Sequence, residues 1–135
     1  MSREDVELVV RHFKDTNAER VEAAVGAFAG DVVLRFHGDL AVLAGEGADG
    51  KTAVVEWFRD WFRTFEPGYR FEVEQVSDWD GRVFVVATHH GRGRTSGAPM
   101  ERRTAWVYTI RDGRIARCDG YPDPESALED AGRRE

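Results

Sequence analysis

The chain has 135 residues, 41% hydrophobic and 33% charged, with 4 Trp, 3 Tyr and 8 Phe, which supplies one domain's core and excludes a disordered, charge-rich segment. Its formal charge is -6 and no face-length run of Lys or Arg occurs, so nucleic acid and anionic membrane are excluded as expected partners. The single cysteine, Cys118, excludes an internal disulfide framework and a multi-cysteine metal cage.

The N-terminus opens on Arg3, Glu4 and Asp5 without an apolar run of signal-peptide length, and no segment reaches the roughly 20 apolar residues of a spanning helix; a cytoplasmic location is expected. Ser2 is a suitable cap for a helix to about Lys14, with Val6, Val9, Val10 and Phe13 on one stripe. Asn17 is the expected cap of a second helix, whose stripe of Val21, Ala24, Val25 and Phe28 runs to Gly30. A β-branched run, Val32 to Phe36, reads as a strand ended by His37-Gly38-Asp39.

Leu40 to Gly50 reads as a loop, with room for a short strand at Ala41 to Leu43. Thr52 to Phe65 reads as a helix apolar over more than half its circumference, closed by Glu66-Pro67-Gly68. Beyond it the period becomes two: Tyr69 to Ser77, Arg82 to His90, Arg102 to Arg111 and Arg114 to Tyr121 read as strands. Their connections are too short for crossover helices, so they pair as an antiparallel meander. The expected domain is 1–124, followed by a polar tail, 125–135, with a helical turn or two at most.

Gly45-Glu46-Gly47-Ala48-Asp49-Gly50-Lys51-Thr52 spells both the phosphate-loop and the dinucleotide-binding patterns. A phosphate loop, however, works at the carboxyl end of a central parallel strand, which the downstream meander does not supply. Glu46 and Asp49 would also put negative charge inside the cradle. A glycine-rich turn before an ordinary helix start, with Thr52 or Asp49 near the cap, is the expected reading.

The element order resembles the nuclear-transport-factor-two-like fold, in its SnoaL-like and ketosteroid-isomerase-like branch. The phrases that carry the likeness are Phe28-Ala29-Gly30-Asp31-Val32-Val33, Gly50-Lys51-Thr52-Ala53-Val54 and Arg111-Asp112-Gly113-Arg114-Ile115. The resemblance implies an α+β cone, three helices against a strongly curved, mostly antiparallel sheet, enclosing a pocket for a small apolar organic molecule. It implies a homodimer and no cofactor. The isomerase's three roles are unfilled here: its base aspartate falls at or near Phe36, its acidic donor near Trp106, and its helix-one tyrosine among Val9, Val10 and His12.

Strand alternation puts Val83, Val85, Ala87 and His89 on one face and Phe84, Val86, Thr88 and His90 on the other. The isomerase register favours the His89 set as pocket-facing, where a neutral imidazole can act as general base or simply bond a strand neighbour. His37, close to the isomerase's base position, is the second catalytic candidate. Expected ligand contacts are Phe36, Trp57, Trp61, Val85, Ala87, Arg102, Thr104, Trp106, Tyr108 and Cys118, with Arg102 suited to an anionic oxygen. No ligand spacing recommends a metal. The opposite face, with Phe84, Val86, Val107 and Tyr121, would be a wet apolar patch in a monomer, a second reason to expect a homodimer. The expected function is a cofactor-free isomerase, cyclase, hydratase or hydrolase using a pocket histidine. Its alternative is a non-catalytic binding or dimerising module of the same fold.

Overall fold

The computed structural model describes residues 2–79 and 81–134, with side chains for 3–79 and 81–131. Helices α1 (Ser2–Asn17) and α2 (Val21–Gly26) lead into strand β1 (Phe28–Phe36), a short helix α3 (Asp39–Ala44) and strand β2 (Gly47–Asp49). Helix α4 (Lys51–Arg63) is followed by β3 (Arg70–Asp78), β4 (Arg82–Arg92), β5 (Pro99–Arg111), β6 (Arg114–Tyr121) and helix α5 (Pro124–Arg134). The expected α+β architecture is present, with five helices among the described residues rather than three. The capping role of Ser2 falls outside the described side chains.

The sheet runs β2-β1-β6-β5-β4-β3. All neighbours pair antiparallel except β1 and β6, which are parallel. Register shifts at Phe28/Val33, Val73/Gln75 and Thr109/Ile110 add the local twist that bends the sheet around the helices.

Three local readings change for physical reasons. The second helix stops at Gly26, because Phe28 and Ala29 are taken into β1, where Phe28 pairs beside Ile115. Its N-cap is Arg20, without a side-chain bond. Asn17 instead donates from Nδ2 to the Phe71 carbonyl and accepts the Phe71 N–H at Oδ1, each at 2.8 Å, docking α1 on the edge strand β3. The expected loop from Leu40 holds a helix and a strand, because Leu40, Ala41 and Ala44 repeat at helical spacing and pack on the core.

The glycine-rich motif is also explained by the fold. A Cβ on Gly47 would lie 1.8 Å from the Leu34 carbonyl oxygen, so the residue is glycine for the close approach of β2 to β1. Asp49 pairs with Arg35 at 2.7 Å, and the cap of α4 is Gly50, with neither Asp49 nor Thr52 bonded there.

The tail is the largest correction. Pro124–Arg134 forms an 11-residue helix, about three turns. Asp123 Oδ1 accepts the Ser126 N–H at 2.7 Å, with Pro124 opening the first turn. Ala127 and Ala131 face inward, and Ala127 packs with Phe84, Val86, Ala105, Val107 and Tyr121, all at most 3% exposed. Tyr121 O–H donates to Asp130, and Trp79 stacks flat on Phe84 at 4.7 Å. The face that suggested a homodimer is thus covered by the chain's own helix, and that reason for a dimer is removed.

Truncation after Asp123 should therefore bare Phe84, Val86, Val107 and Tyr121 and cause self-association. Sedimentation should report a higher mass than the full chain has; an unchanged mass with unchanged stability would show that α5 covers nothing of consequence.

Candidate functional site

The inner face of the sheet meets α1, α2 and α4 over an aromatic floor. Val83, Val85 and Ala87 of β4 are fully buried there with Trp106, Tyr108 and Cys118. Among the described residues the packing leaves a cavity of about 260 Å³ and another of about 250 Å³. They share Phe58, Phe65, Phe71 and Trp106 as walls. The first opens between α1, α2 and α4 at a rim of exposed Glu19, Arg59, Pro67, Gly68 and Arg94. The second lies between α3, α4 and the far ends of β4 and β5.

Seven expected residues line the second cavity: Phe36, Trp57, Trp61, His89, Arg102, Thr104 and Trp106. Trp106 also lines the first, together with Tyr108. Trp57 and Trp61, one turn apart on α4, stack at 5.4 Å, and the Trp57 indole donates to the Ala44 carbonyl, tying α4 to the end of α3. Val85, Ala87 and Cys118 line neither cavity; they are solid core beneath the aromatic floor, at most 1% exposed, and burial pushes the Cys118 thiol up.

His37 is placed elsewhere. Its Nε2 lies 2.8 Å from Oδ1 of the fully buried Asp119, and its ring stacks on Tyr121 at 4.4 Å. Asp119 also accepts from Arg117 Nε and Nη2, at 2.8 and 3.0 Å. The reason is alternation: Asp119 and Tyr121 share the outer face of β6, and the chain end of β1 carries His37 to them.

His89 is the centre of a continuous network. The Trp61 indole donates to the Tyr69 oxygen at 3.0 Å; Tyr69 O–H lies 2.6 Å from His89 Nδ1; His89 Nε2 lies 2.8 Å from Thr104 Oγ1, which also accepts the Trp106 indole at 3.0 Å. One assignment gives every hydrogen an acceptor: Tyr69 donates to Nδ1, Nε2–H donates to Thr104, and Thr104 donates to the Ala87 carbonyl at 3.4 Å. Both His89 nitrogens are then committed. Burial first, then Arg102 and His90, lower its pKa to about 4, so the ring is uncharged near neutrality. Arg102 itself makes no hydrogen bond or ion pair among the described residues, and stands free in the cavity wall.

Sequence reasoning passed over several lining residues. Leu40, Leu43 and Ala44 wall the second cavity from α3, and Met100 closes it from β5. The signal for Leu40, Leu43 and Ala44 was their i, i+3, i+4 spacing between Gly38 and Gly45. Tyr69, taken as the start of a strand, carries the hydroxyl that holds His89, and His12 of α1 lines the first cavity. His12 follows Val9 by three residues and so shares its buried stripe. Among the described residues no group of three His, Cys, Asp or Glu comes together as a metal site, and no helix is long and apolar enough to cross a membrane.

Comparison with known proteins agrees with this architecture. The structure of TerC co-crystallised with polyporic acid superposes with a TM-score of 0.76 at 16% identity, over 93% of this chain and 96% of that one. A hypothetical protein of ketosteroid isomerase-like fold from Catenulispora acidiphila, in complex with trimethylamine, gives 0.74 at 18% identity, over 93% and 92%. A putative polyketide cyclase from Sinorhizobium meliloti gives 0.65 at 24% identity, over 84% and 93%. No curated protein matches the chain.

The buried imidazole makes a sign-definite contribution to stability. On acidification the unfolded chain binds a proton near pH 6.5 but the folded His89 only near 4, so stability falls as pH drops through that window and is unaffected above it. Buried His12 shifts in the same direction. Carboxylates held low by their partners, Asp31, Glu74 and Asp123, lose their contribution only below their ordinary range. Denaturant midpoints of His89→Gln should therefore depend less on pH between 6.5 and 4 than those of the parent; an unchanged slope would refute the neutral, buried assignment.

The profile of the SnoaL-like domain matches residues 9–118, from the helix that carries His12 to the strand behind the aromatic floor, and the chain belongs to the SnoaL-like domain family.

Proposed function

We propose that the chain binds a small, mostly apolar organic molecule between its helices and the inner face of the sheet. We further propose that it acts on that molecule without a cofactor, as an isomerase, cyclase or hydratase, by moving a proton with a pocket imidazole. One observation carries the reading: an uncharged, buried histidine stands, beside Arg102 and Thr104, in the wall of a cavity otherwise lined by aromatic and aliphatic side chains. Size supports it. A dry apolar cavity of about 150 Å³ holds benzene, so about 250 Å³ beside His89 and about 260 Å³ in the first cavity each accommodate a fused two-ring compound. The relative co-crystallised with polyporic acid is a precedent for a ligand in this fold.

In this reading Arg102, unpaired in the wall, faces an anionic or enolic oxygen, and Trp106 contacts the ligand from both cavities. His89 accepts a proton from the ligand when the ligand takes the place of Tyr69 O–H at Nδ1. The neutral ring is the form with that capacity. The commitment of both His89 nitrogens favours a second reading, a non-catalytic binding module, in which Tyr69, His89 and Thr104 only brace the wall.

Binding is testable with a defined probe. In a 15N-labelled sample the 4 indole N–H signals report separately. On addition of 2-methoxynaphthalene the Trp106 signal should move while Trp79, stacked on Phe84 across the sheet, stays still. Shifts at Trp79 alone, or at none of the four, would contradict the cavity as the binding site.

A further inference from the structure

We propose that the first cavity reads oxygen substituents on a ring compound, His12 Nε2 accepting from a ligand hydroxyl while Tyr108 O–H donates to a ligand oxygen. The inference rests on the cavity binding proposed above and names the chemistry its ligand must carry.

His12 Nδ1 lies 2.9 Å from the Ala24 carbonyl, which can only accept, so Nδ1 carries the ring's proton and Nε2 bears a lone pair. No hydrogen bond reaches that lone pair among the described residues, and none reaches the Tyr108 hydroxyl. Both residues are buried, 9% and 4% exposed. Yet among the described residues no side-chain nitrogen or oxygen that is sealed from solvent lacks a partner. The two unpaired groups therefore open on a reachable space, and the space they both line is the first cavity. Their ring centroids are 6.2 Å apart, so one small ring compound can meet both.

Each group is held in the form the role needs. Burial lowers the His12 pKa, against a smaller opposing effect of the Ala24 carbonyl and Asp15, and leaves the ring neutral with its acceptor available. Burial raises Tyr108 well above an ordinary phenol, which keeps its hydrogen on as a donor. Around them Phe13, Phe28, Phe58 and Phe62 form the apolar wall, while Thr16, Glu19, Arg59, Glu66, Tyr69 and Arg94 supply the other polar lining. A pure hydrocarbon would fill it and strand both polar groups, whereas a hydroxylated ring pairs them. Sites built this way discriminate on the hydroxyl.

The test compares 2-naphthol with 2-methoxynaphthalene, the same rings with and without the donor, on the full chain by titration calorimetry. The unmodified protein should prefer 2-naphthol by about tenfold, the yield of one buried hydrogen bond. His12→Asn retains a side-chain donor for the Ala24 carbonyl but has no Nε2, and should bind both probes alike. Tyr108→Phe should likewise lose any preference for 2-acetylnaphthalene over 2-isopropenylnaphthalene. If His12→Asn does not fold, the His12 Nε2 15N shift of the unmodified chain gives the same answer, moving with 2-naphthol and staying with its methyl ether. Equal binding of the two probes by the unmodified chain, or a preference that survives His12→Asn, overturns this assignment and leaves the cavity reading intact. Binding of neither probe overturns both.

Discussion

The two hydrogen bonds between the Asn17 side chain and the backbone of Phe71 hold the inner side of the molecule in shape. Strand β3 is an edge, with peptide groups facing outward and no further strand to meet them. Asn17 supplies one donor and one acceptor there, as a neighbouring strand would, from the last residue of α1. The helix is thereby locked along the sheet with Val9, His12 and Phe13 turned inward. Phe13 then meets Phe71 and Tyr108 edge-on, at 5.4 and 5.7 Å, and the first cavity is what remains between these rings and α4.

Leaving such a space costs packing, because a wall beside a void has no atoms on one side to attract it. The sheet offsets that loss on its other face. There α5, Trp79 and Tyr121 close over Phe84, Val86 and Val107, so β4 is buried on both faces from Val83 to His89. The division of labour is spatial: close packing lies outside and the cavities lie inside. Past the end of α5 the outer face turns polar. There Glu74 holds Thr88 and Arg103, and His90 bonds Glu72.

Two buried imidazoles show how the same residue type acquires different capacities. His12 and His89 are both driven toward the neutral form by burial. His89 sits in mid-strand among Tyr69, Thr104 and the indoles of Trp61 and Trp106, and its two nitrogens are occupied. His12 sits on a helix beside the carbonyl end of α2, and among the described residues its ring is hydrogen-bonded at Nδ1 alone, to the Ala24 carbonyl. Protonation tendency does not separate them; the number of partners within reach does.

Much of this was legible in the residues. The change of period at Tyr69, the short connections between later strands and the alternation around His89 and His90 dictated the meander and which side chains share a face, because a strand's period of two leaves no freedom there. Seven of the expected cavity residues follow from that alternation and from the aromatic run of α4. The residues did not reveal how deep each position lies: Val85, Ala87 and Cys118 share the right face but are roofed by larger rings. Nor could they show that Asn17 caps a strand edge rather than a helix, since its partner Phe71 is 54 positions away. His37 was carried to the outer face by the parallel join of β1 to β6, a pairing between segments about 80 residues apart that local pattern does not encode. Composition hid α5, because a helix whose buried residues, among those described, are Ala127 and Ala131 looks polar in sequence, although Asp123-Pro124 was a legible start. Local periodicity thus determined the elements and their faces, whereas the choice among residues on one face, and of His12 over His37, was made by which distant surfaces came into contact.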